Sequence, residues 1–310
     1  MKTNTIIQNL GIYKGNELYI KREDLIPVSF GGNKARKAIK FFEDIKKKNA
    51  DCVVTYGSSS SNHCRVVSNM AASIGIPCYI IGPEEASEPT FNSKLMKLFG
   101  AHIKVVQVEK VHDTIEKCLE TLRKEGKNPY FIMGGGHGNI GTEAYVECYD
   151  EIEAYEKENN MTFDYIFFAS GTGTTQAGLV WEKLYKEHEK EIVGISIARK
   201  NPRGKEVVIN SIKEYSNERR IFFNEELINK NTIFCDDYVG SGYGKDSEEI
   251  YHVIQEVMYR YGIPLDKTYT GKAFYGMNEY INKNNIKDKK ILFIHTGGTP
   301  LFFDGLIRNE

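Results

Sequence analysis

The sequence predicts an α/β protein of two lobes, each an open, twisted, mostly parallel sheet with helices on both faces. Three observations predict it. Apolar runs of four to six residues recur along the chain, the length of strands buried on both sides. Longer amphipathic stretches separate them, as helical crossovers between parallel strands require. Small polar residues gather directly after three of the runs, where ligands sit in such sheets.

The strands are expected at Cys52–Tyr56, Cys78–Ile81, His102–Val106, Tyr165–Ala169, Ile192–Ile197 and Ile291–His295. Helical periodicity covers Ala35–Lys48, Asn62–Ile74, Glu88–Phe99, Val111–Glu125, Gly141–Asn159, Thr175–Glu189, Ser247–Tyr261 and Thr270–Asn284. The basic run near Lys46–Asp51 and the polar stretch Glu151–Asp164 are expected lobe limits. They give a small lobe of residues 50–155 and a large lobe of residues 1–49 plus 156–310.

Composition narrows the function. With 310 residues, 41% hydrophobic and 27% charged, the chain is long enough for two cores. A net charge of -1 provides no global field for nucleic acid or an anionic membrane. No apolar run reaches the roughly 20 residues of a membrane span, and no long apolar stretch follows Met1–Thr5, so neither membrane nor signal peptide is expected. The cysteines at 52, 64, 78, 118, 148 and 235 form no Cys-x-x-Cys pair, so no metal is expected and a reducing cytoplasm fits.

The segment Gly31-Gly32-Asn33-Lys34-Ala35-Arg36-Lys37 places a lysine behind two glycines at a helix start. Glycines allow close approach to a ligand. A lysine removed from water loses its proton more easily and becomes a nucleophile. Such an amine can form a Schiff base with an aldehyde such as that of pyridoxal phosphate. The same residues would also serve as a solvated basic helix start.

Ser170-Gly171-Thr172-Gly173-Thr174-Thr175-Gln176-Ala177-Gly178 lies between a strand and a helix. Its freed N–H groups, threonine hydroxyls and helix N-terminus suit a phosphate. It lacks the Gly-Lys-Ser/Thr ending of a nucleoside-triphosphate loop, and Gln176 stands where a dinucleotide fingerprint has its last glycine. Ser61-Asn62-His63 opens another helix, either as an ordinary N-cap or as a group receiving a carboxylate, with Asn62 on the cofactor and His63 behind it. The loop Gly134-Gly135-Gly136-His137-Gly138-Asn139 is a tight turn or a cover over substrate. Of 19 tyrosines, Tyr243 and Tyr269 stand beside glycines on loops, where a phenol can relay a proton.

Together these residues resemble the pyridoxal-phosphate enzymes of the tryptophan-synthase-β type (fold type II). More narrowly they resemble the family of D-cysteine desulfhydrase and 1-aminocyclopropane-1-carboxylate deaminase. Lys21-Arg22-Glu23-Asp24-Leu25, Phe30–Lys37, Ser61-Asn62-His63, the 134–141 loop, the 170–178 loop, Tyr243, Tyr269–Lys272 and His295–Pro300 follow the family order. The resemblance implies Lys34 as the Schiff-base lysine, with Lys37 one turn away as the other candidate. It implies Asn62 at the cofactor's phenolic oxygen and Gly171, Thr172, Gly173, Thr174 and Thr175 at its phosphate. Thr296 would sit near the pyridine nitrogen, Ser61 at the substrate carboxylate, and Tyr243 and Tyr269 beside the reacting carbon. A homodimer acting on a small amino acid is also implied.

Within the family, deaminases resemble Tyr-Glu-Gly-Lys and His-Leu-Gly-Gly, whereas this chain has Tyr269-Thr270-Gly271-Lys272 and His295-Thr296-Gly297-Gly298. Threonine at both positions, and His63, resemble the desulfhydrase pattern. A hydroxyl at the pyridine nitrogen makes a weaker electron sink than a carboxylate would, which elimination of a good leaving group tolerates. The expected function is therefore α,β-elimination, D-cysteine giving pyruvate, ammonia and hydrogen sulfide. The alternatives are the cyclopropane deaminase, elimination from another β-substituted alanine, and a two-lobed binding protein without chemistry. Ser60 stands where the desulfhydrase relatives carry glutamine, and Gly135-Gly136-His137 where they carry Gly-Gly-Ser.

Overall fold

A computed structural model describes residues 3–239 and 247–307. A hairpin of β1 (Ile7–Tyr13) and β2 (Asn16–Lys21) opens the chain and leads into α1 (Asn33–Lys47). Then follow β3 (Cys52–Tyr56), α2 (Asn62–Ser73), β4 (Cys78–Pro83), α3 (Phe91–Leu98), β5 (His102–Val106), α4 (Val111–Lys124) and β6 (Pro129–Phe131). The chain continues through α5 (Asn139–Glu158), β7 (Tyr165–Ser170), α6 (Thr174–Tyr185), β8 (Glu191–Ser196), α7 (Arg203–Arg219), α8 (Glu225–Asn231) and β9 (Ile233–Cys235). It ends with α9 (Glu248–Tyr261), α10 (Thr270–Lys283), β10 (Lys290–Ile294) and α11 (Thr299–Ile307).

The strands form two sheets, ordered β1-β2-β10-β7-β8-β9 and β5-β4-β3-β6. Among the described residues only the β1–β2 pair is antiparallel. Neighbouring side chains on one strand enter opposite cores: Phe168 packs with Tyr149, Ile192 and Ile212, while Phe167 packs with Val193, Phe274 and Phe293. Burial on both faces is why the central strands are continuously apolar. All six expected strands are present. The hairpin strands and the three-residue β6 and β9 add to them, and α7, α8 and α11 add to the expected helices. Helix α3 begins at Phe91, later than the expected residue 88. Thr90 caps it reciprocally with Ser93, whose N–H donates to Thr90 Oγ1 at 3.1 Å while Thr90 N–H donates to Ser93 Oγ at 2.9 Å.

The helices at the expected lobe limits pack across them. Ala35, Ile39, Phe42 and Ile45 of α1 join the core of the four-stranded sheet, although residues before 50 were assigned to the large lobe. Ala144, Tyr145, Cys148 and Ile152 of α5 join the six-stranded sheet, although residues up to 155 were assigned to the small one. Each helix follows its own apolar stripe rather than the charge run that marks its end.

Register aligns the functional loops. Ser170 of β7 pairs with Ser196 of β8, and Ile294 of β10 with Lys21 of β2. The chain therefore leaves all four strands at one edge of the sheet, where the ends of β3 and β6 also converge on one cavity.

Candidate active site

The cavity occupies about 470 Å³ between the carboxyl ends of the two sheets. Lys34, Arg199 and the neutral donors of Asn33, Asn62 and Thr175 line it, and no carboxylate does among the described residues. Such a lining favours an anion.

Helix α1 is placed by the loop after β10. Asn33 N–H donates to Thr296 O at 3.0 Å. A Cβ on Gly32, whose φ is +94°, would lie 2.7 Å from that same oxygen, so only glycine permits this approach. The next residue, Lys34, is half-buried and donates from Nζ to Gly135 O at 3.0 Å. Burial first, and the charge of Arg199 second, pull its pKa down to about 8. An appreciable fraction of this amine is therefore unprotonated, and nucleophilic, near neutral pH.

The anion loop leaves β7 and enters α6. Lys37 lies one turn after Lys34 and is fully buried. Its Nζ donates to Thr174 Oγ1 at 2.7 Å, and Asn33 Nδ2 donates to Thr175 Oγ1 at 3.2 Å. Burial, then the nearby Lys34, hold Lys37 well below the usual lysine range. The loop's tight path needs Gly173 at φ +94°, where a Cβ would lie 2.9 Å from Val207 Cγ1. Gln176 serves the scaffold: it is fully buried, accepts from Ser170 Oγ at 2.9 Å and donates to Ile233 O at 2.7 Å. Arg199, just past β8, donates to Gly171 O.

On α2, Ser61 is an N-cap whose Oγ accepts from Cys64 N–H at 3.1 Å. Asn62 lines the cavity beside it. His63 Nε2 lies 2.8 Å from Thr55 Oγ1, whose hydroxyl donates to Ile132 O at 2.7 Å. The hydroxyl must therefore accept from His63, which fixes the Nε2–H tautomer. Burial, then Lys34 and Lys37, lower its pKa to about 3, so the ring stays neutral. His137 does not line the cavity, and its Nδ1 lies 3.1 Å from Thr172 O of the anion loop.

Of the residues singled out in the sequence, the structure brings Lys34, Ser61, Asn62, Gly171, Thr172, Gly173, Thr175, Tyr269 and Thr296 to the one cavity. Thr174 stands behind the loop, fully buried. Tyr243 lies outside the described residues. Thr270 is fully buried away from the cavity, and its hydroxyl donates to Asp266 Oδ1 at 2.9 Å. Asp266 also accepts from the N–H groups of Thr268, Tyr269 and Thr270 at 2.9, 2.9 and 3.0 Å, which sets Tyr269 at the start of α10. The sequence does not mark Asn33 or Arg199 as site residues, and it offers Lys37 only as a second Schiff-base lysine. The spacing of Lys37 from Lys34, and the position of Arg199 just past a strand end, were signals that could have found these roles.

This donor set fits pyridoxal phosphate: a half-buried amine, a threonine-lined anion loop at a helix N-terminus, and cations without carboxylates. Comparison with known proteins gives the class. The family described as "Pyridoxal-phosphate dependent enzyme" matches residues 4–297, and the chain belongs to that family. Among curated proteins, it is 32% identical over 309 residues to the D-cysteine desulfhydrase of Serratia proteamaculans (strain 568), covering 96% of this chain and 91% of that one. It is 33% identical over 307 residues to the D-cysteine desulfhydrase of Yersinia enterocolitica serotype O:8 / biotype 1B, with the same coverage. The solved structure titled as an ACC deaminase homologue aligns at a TM-score of 0.87 and 32% identity, over 98% of this chain and 93% of that one. An O-ureido-L-serine synthase structure aligns at a TM-score of 0.69 and 15% identity, a likeness of fold. The protein is a pyridoxal-phosphate-dependent enzyme.

Proposed function

We propose that this enzyme removes the β-substituent of a small amino acid, D-cysteine first among them. Pyruvate, ammonia and hydrogen sulfide are the products, with one water consumed. The observation that carries this is the Lys34 amine facing a cavity that no carboxylate lines among the described residues. The cofactor supplies an electron sink for the charge left at the α-carbon. Lys34 Nζ holds the cofactor and then moves the α-proton, with the Tyr269 hydroxyl and Tyr243 as the other proton carriers. Gly171–Thr175, with Lys37 behind Thr174, grip the phosphate. Asn62 faces the phenolic oxygen and Thr296 stands near the pyridine nitrogen. The cap at Ser61 receives the substrate carboxylate. Both substrate and cofactor bring negative charge to a cavity lined by cations.

Thr296 lines the cavity and Thr270 does not, so the distinction from the cyclopropane deaminases rests on Thr296. The buried acid Asp266 is occupied by the start of α10. A ring without a carboxylate partner suits loss of hydrosulfide better than opening of a cyclopropane. The likeness to the ACC deaminase homologue keeps the deaminase as the second reading.

We also propose a homodimer, as the family resemblance of the sequence implies, working in the cytoplasm, a compartment that the six free cysteines suit. No helix is long and apolar enough to cross a membrane among the described residues. For the lobes we propose the sequence division with α1 moved to the smaller and α5 to the larger.

Purified protein is assayed for pyruvate and sulfide from D-cysteine and for 2-oxobutyrate from the cyclopropane amino acid. Pyruvate and sulfide release, abolished in Lys34→Ala, is expected. Release of 2-oxobutyrate alone would assign the deaminase.

A further inference from the structure

Helix α2 carries a buried cation that the site described above does not use. Arg65 follows Asn62 by three residues, so the two project from one side of the first turn. It is fully buried, and no carboxylate acts on it among the described residues. Its partners are neutral: Nε donates to Ser29 Oγ at 3.2 Å, and Nη1 to Asn62 Oδ1 at 2.7 Å and Asn92 Oδ1 at 2.9 Å. Nη2 has no partner. A buried guanidinium without a counter-charge is a poor way to stabilise a fold. Burial lowers its pKa to about 10, opposed by the Tyr269 phenol, so it remains a cation at neutral pH.

The partners fix the orientation of two amides. Asn92 Nδ2 donates to Ser60 O at 2.8 Å, which only the NH2 end can do, so Asn92 Oδ1 is the atom facing Arg65. The same NH2 donates to Asn62 Oδ1 at 3.0 Å. Asn62 Oδ1 therefore receives two donors from behind. Its NH2 is left as the end available to the cavity.

We propose that Arg65 is a positioning residue: with Asn92 it locks the Asn62 carboxamide so that the cavity meets a pure hydrogen-bond donor. This rests on the reading that Asn62 faces the cofactor's phenolic oxygen, an anionic acceptor that a donor attracts and a carbonyl repels. Without the guanidinium the amide can turn over. The positive charge behind the carbonyl also polarises the amide toward that acceptor.

The test measures pyridoxal phosphate affinity by equilibrium dialysis and the absorbance band of the bound cofactor in Arg65→Gln, Asn62→Ala and the double variant. Each single change is expected to weaken retention about tenfold, the worth of roughly one hydrogen bond, and to shift the band alike. In the Asn62→Ala background Arg65→Gln should add nothing. Arg65→Lys, which keeps the cation, should recover part of the loss. Additive effects, or an Arg65→Gln protein with wild-type affinity and band, would overturn the proposal. If Asn62→Ala itself changes neither readout, the assignment of Asn62 fails and the proposal fails with it. Should Arg65→Gln not fold, Asn92→Ala carries the same cycle, with about a threefold loss expected and none in the Asn62→Ala background.

Discussion

Two neighbours on α1, Arg36 and Lys37, are both fully buried cations by side-chain type, yet their surroundings are opposite. Arg36 is enclosed by carboxylates: Nε and Nη2 meet Glu23 at 2.5 and 2.8 Å, and Nη1 and Nη2 meet Glu151 at 2.9 and 2.7 Å. Lys21 joins from β2, 2.8 Å from Glu151. Burial alone would raise the pKa of Glu23, but Arg36 beside it holds it below the usual carboxylate range. Lys37 has a threonine hydroxyl and, among the described residues, no acid. One residue apart, the helix turns from a closed charge network that fastens β2, α1 and α5 to an open one that awaits an anion. Paired burial marks scaffold and unpaired burial marks site.

The comparison breaks most sharply on the paired side. Glu23→Ala strips Arg36 of its main partner and leaves a buried charge uncompensated. A loss of about 3–5 kcal/mol in denaturant unfolding is expected. A loss under about 1 kcal/mol, the scale of an exposed pair, would show the network to be dispensable.

On the unpaired side the effect moves from stability to binding. Lys37→Met removes an amine that burial disfavours, so stability should hold or rise. Retention of pyridoxal phosphate should fall by about a hundredfold, the worth of one or two charge-assisted hydrogen bonds. Equilibrium dialysis beside thermal unfolding separates the two. A destabilised protein with unchanged affinity would erase the contrast.

The smallest effect comes from pH. Below its pKa of about 8, Lys34 is mostly protonated and cannot attack an aldehyde; above it the amine is free. The rate at which apo-protein takes up the cofactor should climb about tenfold from pH 7 to 9 and level off, following the unprotonated fraction. A rise continuing through pH 10 would place the amine in bulk solvent, with an ordinary lysine pKa.

Much of the scaffold was legible because it is periodic. Five of the six expected strands lie inside the sheets and are largely buried, and the glycine and threonine loops directly follow three of these; the sixth, β5, is an edge strand with most of its residues exposed. What escaped has a physical reason. Ile7–Tyr13 is an edge strand with much of its surface exposed. The three-residue β6 and β9 are too short to show any period. In the site, Lys37 and Thr174 meet across 137 residues. Arg65 carries no local mark that distinguishes it from a solvated arginine, since its partners Ser29 and Asn92 come from other elements. Thr270 misled in the opposite way. It adjoins Tyr269, which lines the cavity, but the first turn of α10 points its hydroxyl at Asp266. Sequence adjacency did not carry the direction of the side chain.

The central claim is that Lys34, and not the more deeply buried Lys37, is the amine joined to the cofactor. Borohydride reduction of the loaded protein, followed by peptide mapping by mass spectrometry, tests it directly. The account predicts one pyridoxyl-phosphate group per chain, on Lys34. A label on Lys37, or an unlabelled Lys34 in protein that retains the cofactor, would contradict it.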